Sequence, residues 1–191
     1  MWTMNEEQVE KLGIASPFWG FVWPGGHALA RYLLDHPHIV RDQTVLDIGT
    51  GAGIVAIAAA LCEAKQVIAN DVDELALVAT KMNCELNNVT METSKKDLVG
   101  SSDDNWDLIV AADMCYELEL TERMTAWLRE QTERGKTVIF ADPNRGWLQN
   151  HPVEAVAQYE TPCDIDCRGL YLQTTSIYKF CETNSAVSSL K

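Results

Sequence analysis

The sequence predicts an α/β fold in which a mostly parallel sheet carries helices on both faces and ends in an antiparallel last strand. Three observations predict it. Short continuous apolar runs alternate with segments of helical periodicity through the middle of the chain, as expected for a parallel sheet buried on both faces. A glycine-rich turn, Gly49-Thr50-Gly51-Ala52-Gly53, joins the first such run to the next helix. The last two strand-like segments, 156–159 and 170–180, have no full helix between them, so they pair as a hairpin rather than through a parallel crossover.

The elements follow in order. Residues 1–22 read as an N-terminal arm, of which 1–15 look like a short helix or arm. Pro24 opens the next helix, because its missing N–H has no partner to lose there. Ala28, Leu29, Tyr32 and Leu33 continue it at helical spacing, and Pro37 stops it. Residues 44–48 form a strand, and 52–62 an Ala-rich helix suited to close packing on a sheet. Residues 66–70 form the next strand. Asp73 is an N-cap for a helix to about Asn87, with Leu75, Val78 and Met82 on one face. A weak strand at 89–93 precedes a buried one at 106–112. Leu120, Met124, Trp127 and Leu128 then mark an amphipathic helix, which Gly135 ends as a left-handed cap. Residues 137–141 form another apolar strand. One domain is expected over 1–182, with 183–191 a flexible tail.

Composition narrows the function. The 191 residues carry 15 Lys+Arg against 28 Asp+Glu, a formal net charge of -13. Such a surface repels nucleic-acid phosphate and attracts a lysine-rich protein surface. The longest apolar run, nine residues from Ile54 to Cys62, falls short of the ~18 of a membrane span. The acidic N-terminus has neither a secretory apolar stretch nor an Arg-rich presequence, so the sequence as it stands reads as cytoplasmic, or as mitochondrial matrix if a targeting segment is missing. The six cysteines form no CxxC pair and read as reduced thiols. Cys163 and Cys167 lie close together without a second ligand pair, so no metal site is expected.

The chemistry is written around the glycine turn. Val45-Leu46-Asp47-Ile48-Gly49-Thr50-Gly51-Ala52-Gly53 places an acid two residues ahead of Gly49. A dinucleotide fold prefers G-x-G-x-x-G, and Ile54 stands where its third glycine belongs. The Asp-x-Gly-x-Gly-x-Gly form resembles instead the first motif of S-adenosylmethionine-dependent methyltransferases. That cofactor has no phosphate; it carries a cationic amino group and a sulfonium, and carboxylates suit them. Asp47 is one such carboxylate, with turn-capping as its plainer alternative. Asp71 ends the second strand, 22 residues beyond Gly49, and can accept both ribose hydroxyls. Asp97 follows the third strand, where in this fold the loop meets the adenine; a plain surface acid is the alternative. The fourth strand ends Asp113-Met114-Cys115-Tyr116. This tetrad lacks the two prolines that amino-adenine and glutamine methyltransferases carry at this place.

The segments PFWGFVWPGGHALARYLLDHP, VLDIGTGAGIVAIAA, VIANDVD, NCELN, WDLIVAADMCY and FADPNRG together resemble the seven-stranded protein lysine methyltransferases marked by Asp-x-x-Tyr after the fourth strand, here Asp113 and Tyr116. Among these the sequence is similar to the lysine methyltransferases of the electron transfer flavoprotein beta subunit. The resemblance implies a Rossmann-like seven-stranded methyltransferase sheet. It also implies methyl transfer from S-adenosylmethionine to lysine side chains of a protein partner, the flavoprotein beta subunit; a methyltransferase for another protein or for a small amine or hydroxyl metabolite, and an inactive cofactor-binding interaction module, are the alternatives. The charge and the short apolar runs point to no nucleic-acid or membrane partner, and a monomer is expected. Trp23, Gly49, Gly51 and Gly53 then line the cofactor site, with an aromatic staple as the alternative for Trp23. Asp113 and Tyr116 border the methyl-transfer point, Asp113 supporting the cationic groups and Tyr116 orienting the amine. The region after Gly146 follows the family only loosely.

Overall fold

The computed structural model describes residues 17–162 and 172–181. The expectations for residues 1–16, for Cys163 and Cys167, and for the tail lie outside the described residues. Seven strands form one sheet: β1 (Thr44–Ile48), β2 (Gln66–Asn70), β3 (Glu92–Ser94), β4 (Leu108–Ala112), β5 (Thr137–Asp142), β6 (Val153–Pro162) and β7 (Leu172–Phe180). Their order is β3-β2-β1-β4-β5-β7-β6. β1 to β5 run parallel, and β7 lies antiparallel between β5 and β6. The chain leaves β1 toward β2 and β3 on one side, then returns to β4 and β5 on the other. A crevice therefore opens at the carboxyl ends of β1 and β4, where open α/β sheets bind ligands.

The predicted strands at 44–48 and 66–70 coincide with β1 and β2. Helix α1 spans Pro24–Asp35, α2 Ile54–Leu61, α3 Glu74–Asn87 and α4 Leu118–Glu133. Strand side chains alternate between two apolar layers. Val45, Leu108, Val110 and Ile139 join Leu29 and Leu33 of α1 and Val55 and Ala56 of α2. Leu46, Ile109, Ala111 and Phe140 join Met124, Trp127 and Leu128 of α4 on the opposite face. No helix of the described residues is long and apolar enough to cross a membrane.

Three local differences from the sequence reading have physical causes. α2 begins at Ile54 because Gly51 and Gly53 are left-handed, so the turn itself consumes residues 50–53. β6 is ten residues long and not four, because it is the sheet's edge and interleaves Glu154, Gln158 and Glu160 with smaller residues, which hides the strand signal. On α3 the predicted apolar face is the exposed one. Leu75, Val78 and Met82 are exposed, and the helix buries Ala76, Leu77, Thr80 and Cys84. Asp73 does cap it, accepting from the Leu75 N–H.

Candidate active site

The loop between β1 and α2 is held from below and from the side. Asp47 is buried beneath it, and its Oδ2 accepts from the Thr50 hydroxyl at 2.6 Å and from the Ala56 N–H at 3.0 Å. Thr80 of α3 donates its hydroxyl to the Gly51 carbonyl at 2.9 Å, and the Asn83 amide donates to the Ala52 carbonyl at 2.8 Å. Gly51 N–H points at Asp71 Oδ2, 2.9 Å away at the end of β2, while Asp71 Oδ1 receives the Asp73 N–H. Gly49 has a φ of 69°, and a Cβ there would overlap the Met114 thioether that leans in from the loop after β4. The absence of side chains lets three loops converge without filling the crevice.

Burial dominates the electrostatics. Desolvation pushes Asp47 up to about 7, against the stabilising hydrogen bonds from Thr50 and Ala56. Asp113 sits in left-handed backbone at φ 58° directly after β4. Its Oδ2 accepts the Gly26 N–H of the first turn of α1 at 2.9 Å. Its Oδ1 has the Arg145 guanidinium 3.0 Å away but no well-aligned donor. Desolvation raises Asp113 to about 6, and Arg145 and the Gly26 N–H pull in the other direction. Tyr116, one loop turn further, is exposed. Its phenol is raised by burial first, then by the charges of Glu117 and Asp71.

The structure thus places Asp47, Gly49, Gly51, Gly53, Asp71 and Asp113 at the carboxyl ends of β1, β2 and β4, with Tyr116 exposed on the loop that follows β4. Trp23 sits at the N-terminus of α1, donates its indole N–H to the Phe18 carbonyl and packs on Phe18 and Phe21. Asp97 is drawn away from the group: its carboxylate is exposed and pairs with Arg123 of α4 at 2.5 Å. The loop fits a nucleoside-bearing sulfonium better than a dinucleotide. Its floor and mouth carry carboxylates, and Asp113 Oδ1 is a buried acceptor whose alignment is incomplete.

Comparison with known proteins agrees with this geometry. The family model for ribosomal protein L11 methyltransferase (PrmA) matches residues 28–141. The electron transfer flavoprotein beta subunit lysine methyltransferase of Danio rerio is 37% identical over 185 residues, covering 94% of this chain and 70% of that protein. The chain belongs to this methyltransferase family. The corresponding Xenopus laevis protein is 44% identical over 75% of this chain and 61% of its own length, and the Homo sapiens protein 39% identical over 73% and 54%. The matches to the frog and human proteins thus span under two thirds of those longer chains. Among solved structures, a ribosomal protein L11 methylase from Lactobacillus delbrueckii subsp. bulgaricus superposes with a TM-score of 0.56 at 23% identity, covering 81% of this chain and 78% of that one. A magnesium protoporphyrin IX methyltransferase from Synechocystis with bound S-adenosylmethionine gives 0.58 at 14% identity, covering 82% and 80%. At these identities the structures establish the shared fold.

Sequence reasoning about this methyltransferase missed the residues that hold the loops. Asn70 is buried and donates to the Ser94 and Lys96 carbonyls, tying β2 to the loop after β3. Thr80 and Asn83 read as ordinary helix residues, although Asn83 stands in the NCELN segment. A polar residue on the buried side of α3 was the available signal. Thr80→Val removes the Gly51 contact at nearly constant volume. It is expected to weaken S-adenosylhomocysteine binding about 10-fold, the cost of one hydrogen bond left unmade, as measured by calorimetry.

Proposed function

We propose that the chain transfers methyl groups from S-adenosylmethionine to lysine side chains of the electron transfer flavoprotein beta subunit. The observation that carries this reading is the convergence of the glycine loop, Asp71 and Asp113 at the carboxyl ends of β1, β2 and β4, with Tyr116 exposed on the loop that follows, in a member of this family. The names of the relatives supply the acceptor. The acidic surface, with its net charge of -13, favours an approaching lysine-bearing face.

The cofactor supplies an electrophilic methyl group on a sulfonium. The residues of the chain bind, align and desolvate. Asp71 accepts from the ribose hydroxyls with the lone pairs not used by Gly51 and Asp73. The glycine loop lets the backbone approach closely, and Asp47 holds that loop in shape from beneath. Trp23 closes the α1 side of the crevice. Tyr116 orients the amine through its hydroxyl, and Asp113 fixes the end of β4 against α1. Alignment of nucleophile and leaving group is worth up to ~7–11 kcal/mol. A free lysine titrates near ~10.4, so the amine must lose its proton before attack, and partial desolvation in the crevice assists by disfavouring the ammonium form. Turnover is expected to rise between about pH 7 and pH 9, measured as initial rate at saturating cofactor.

The test is incubation of the chain with methyl-labelled S-adenosylmethionine and purified flavoprotein, followed by peptide mass spectrometry. Methylated lysines on the beta subunit are expected. Label on a small amine or on no protein would contradict the reading. Tyr116→Phe is expected to lower kcat by about 10-fold with cofactor KM unchanged, because the lost hydroxyl acts on the amine.

A further inference from the structure

A buried charge cluster joins Asp113 to Asp142 and Arg145, two residues that none of the roles above uses. Asp142 ends β5 and is buried; its Oδ1 receives the Arg145 N–H at 2.9 Å, closing a tight turn. The Arg145 side chain turns back inward, 3.2 Å from Asp142 Oδ2 and 3.0 Å from Asp113 Oδ1, through the same Nη1. Its own side chain keeps only 15% of its exposure. The backbone that carries it is fixed from the neighbouring strand. Gln173 of β7 donates to the Pro143 carbonyl, and Tyr178 donates to Asn144 Oδ1. Arg145 is therefore a fixed cation reaching from β5 to the end of β4, and Asp113 passes the constraint on to α1 through Gly26.

We infer that Arg145 is a positioning residue for methyl transfer: it holds Asp113, and through it the first turn of α1, in the geometry that aligns cofactor and amine. The inference rests on the methyltransferase reading of the crevice. A surface arginine contributes little to such an arrangement, but a guanidinium shared between two buried carboxylates is held in a single orientation. Without it, Asp113 and Asp142 face each other across a site with little water. One of them must then take up a proton or swing away, and either change moves the loop that carries Tyr116.

The groups facing Asp113 are Asp142 at the end of β5, Arg145 from the loop after it, the N-terminal turn of α1 through Gly26, and Cys115 close by in the chain. Arg145 lowers the proton affinity of Asp113, and Asp142 raises it. Removing each charge should therefore move the Asp113 titration in opposite directions, which a general loosening of the fold would not do. The experiment combines kinetics on R145Q, R145K and D142N with carboxyl-carbon NMR titration of Asp113. R145Q is expected to lose about 100-fold in kcat, the cost of about 1 Å of misalignment, with a much smaller change in cofactor KM. Its Asp113 midpoint should rise, and that of D142N should fall. R145K should recover part of the rate, since an ammonium can pair with one carboxylate but not bridge both. Wild-type kcat in folded R145Q would overturn the inference. So would an Asp113 midpoint that falls or stays unmoved in R145Q, or one that fails to fall in D142N, which remains informative if R145Q does not fold. The titration needs no acceptor. Failure of the flavoprotein as substrate would therefore overturn the substrate assignment and leave the titration to decide the hold of Arg145 on Asp113.

Discussion

Gly25→Ala is expected to lower turnover about 100-fold while leaving the protein folded. The first turn of α1 packs against the end of β4 so closely that a Cβ at Gly25 would overlap Asp113 Oδ2, stand 2.8 Å from Asp113 Cγ and meet the Ala141 carbonyl at 3.0 Å. Neither neighbour can yield easily. Ala141 is backbone within β5, and the Asp113 side chain is buried between Gly26 and Arg145. Overpacking of this kind costs about 1–3 kcal/mol, and alanine's better helix propensity returns up to about 1 kcal/mol. The net loss of stability is therefore small. Catalysis suffers more, because the only escape is to displace Asp113 and with it the loop of Tyr116, and about 1 Å of displacement costs about 100-fold. Gly26→Ala is the contrast. Its Cβ would meet only the Ile54 Cγ2 methyl, at 3.2 Å, and that side chain can shift. Its turnover should stay within about 10-fold of wild type. Thermal melts and kcat on the two variants check both statements. Equal activity losses would show that helix packing in general, and not the contact with Asp113, is at stake.

Asp47 has the second large effect, and it acts through stability. Asp47→Ala leaves the Thr50 hydroxyl and the Ala56 N–H without their shared acceptor in a buried place. At about 1–3 kcal/mol for each buried group left unmatched, a loss of about 3 kcal/mol is expected in urea unfolding, together with loss of cofactor binding as the glycine loop relaxes. The pH dependence has a definite sign. Burial raises Asp47 from 3.8 in the unfolded chain to about 7 in the folded one. Between those values the folded state binds the proton that the unfolded state has released. Stability from this group is therefore fully present below pH 3.8 and is lost as pH rises toward about 7. The span is about 3 pH units, and at about 1.4 kcal/mol for each the loss is of order 4 kcal/mol. Asp113, raised to about 6, adds in the same direction. Asp47→Asn keeps an acceptor without the titration, so its stability relative to wild type should improve as pH rises from about 4 to 7. A wild-type minus variant difference that stays flat across that range would contradict the buried placement of Asp47.

Much of this architecture is legible in the residues. The β1 and β2 runs and the Gly135 cap follow from short-range rules about apolar periodicity and left-handed glycine. Asp71 and Asp113 are legible because each directly follows a strand. α3 is not, because its Leu75, Val78 and Met82 satisfy helical spacing equally well on either side; only packing against β2 and α2 selects the face with Ala76, Thr80 and Cys84. The same limit hides Arg145 and Asn83. Their partners, Asp113 and Ala52, lie 32 and 31 residues away in sequence, and no local pattern records a contact made only when loops from different strands meet. Asp97 shows the converse: its position after β3 suggests the adenine, yet a nearby cation on α4 takes its carboxylate.

The most direct test of the account is a crystal structure of the protein with S-adenosylhomocysteine. The account predicts the ribose hydroxyls within hydrogen-bond distance of Asp71, the nucleoside lying along the loop from Gly49 to Gly53, and the sulfur directed toward Asp113 and Tyr116. A nucleoside bound away from Asp71, or a sulfur directed away from the end of β4, would contradict it.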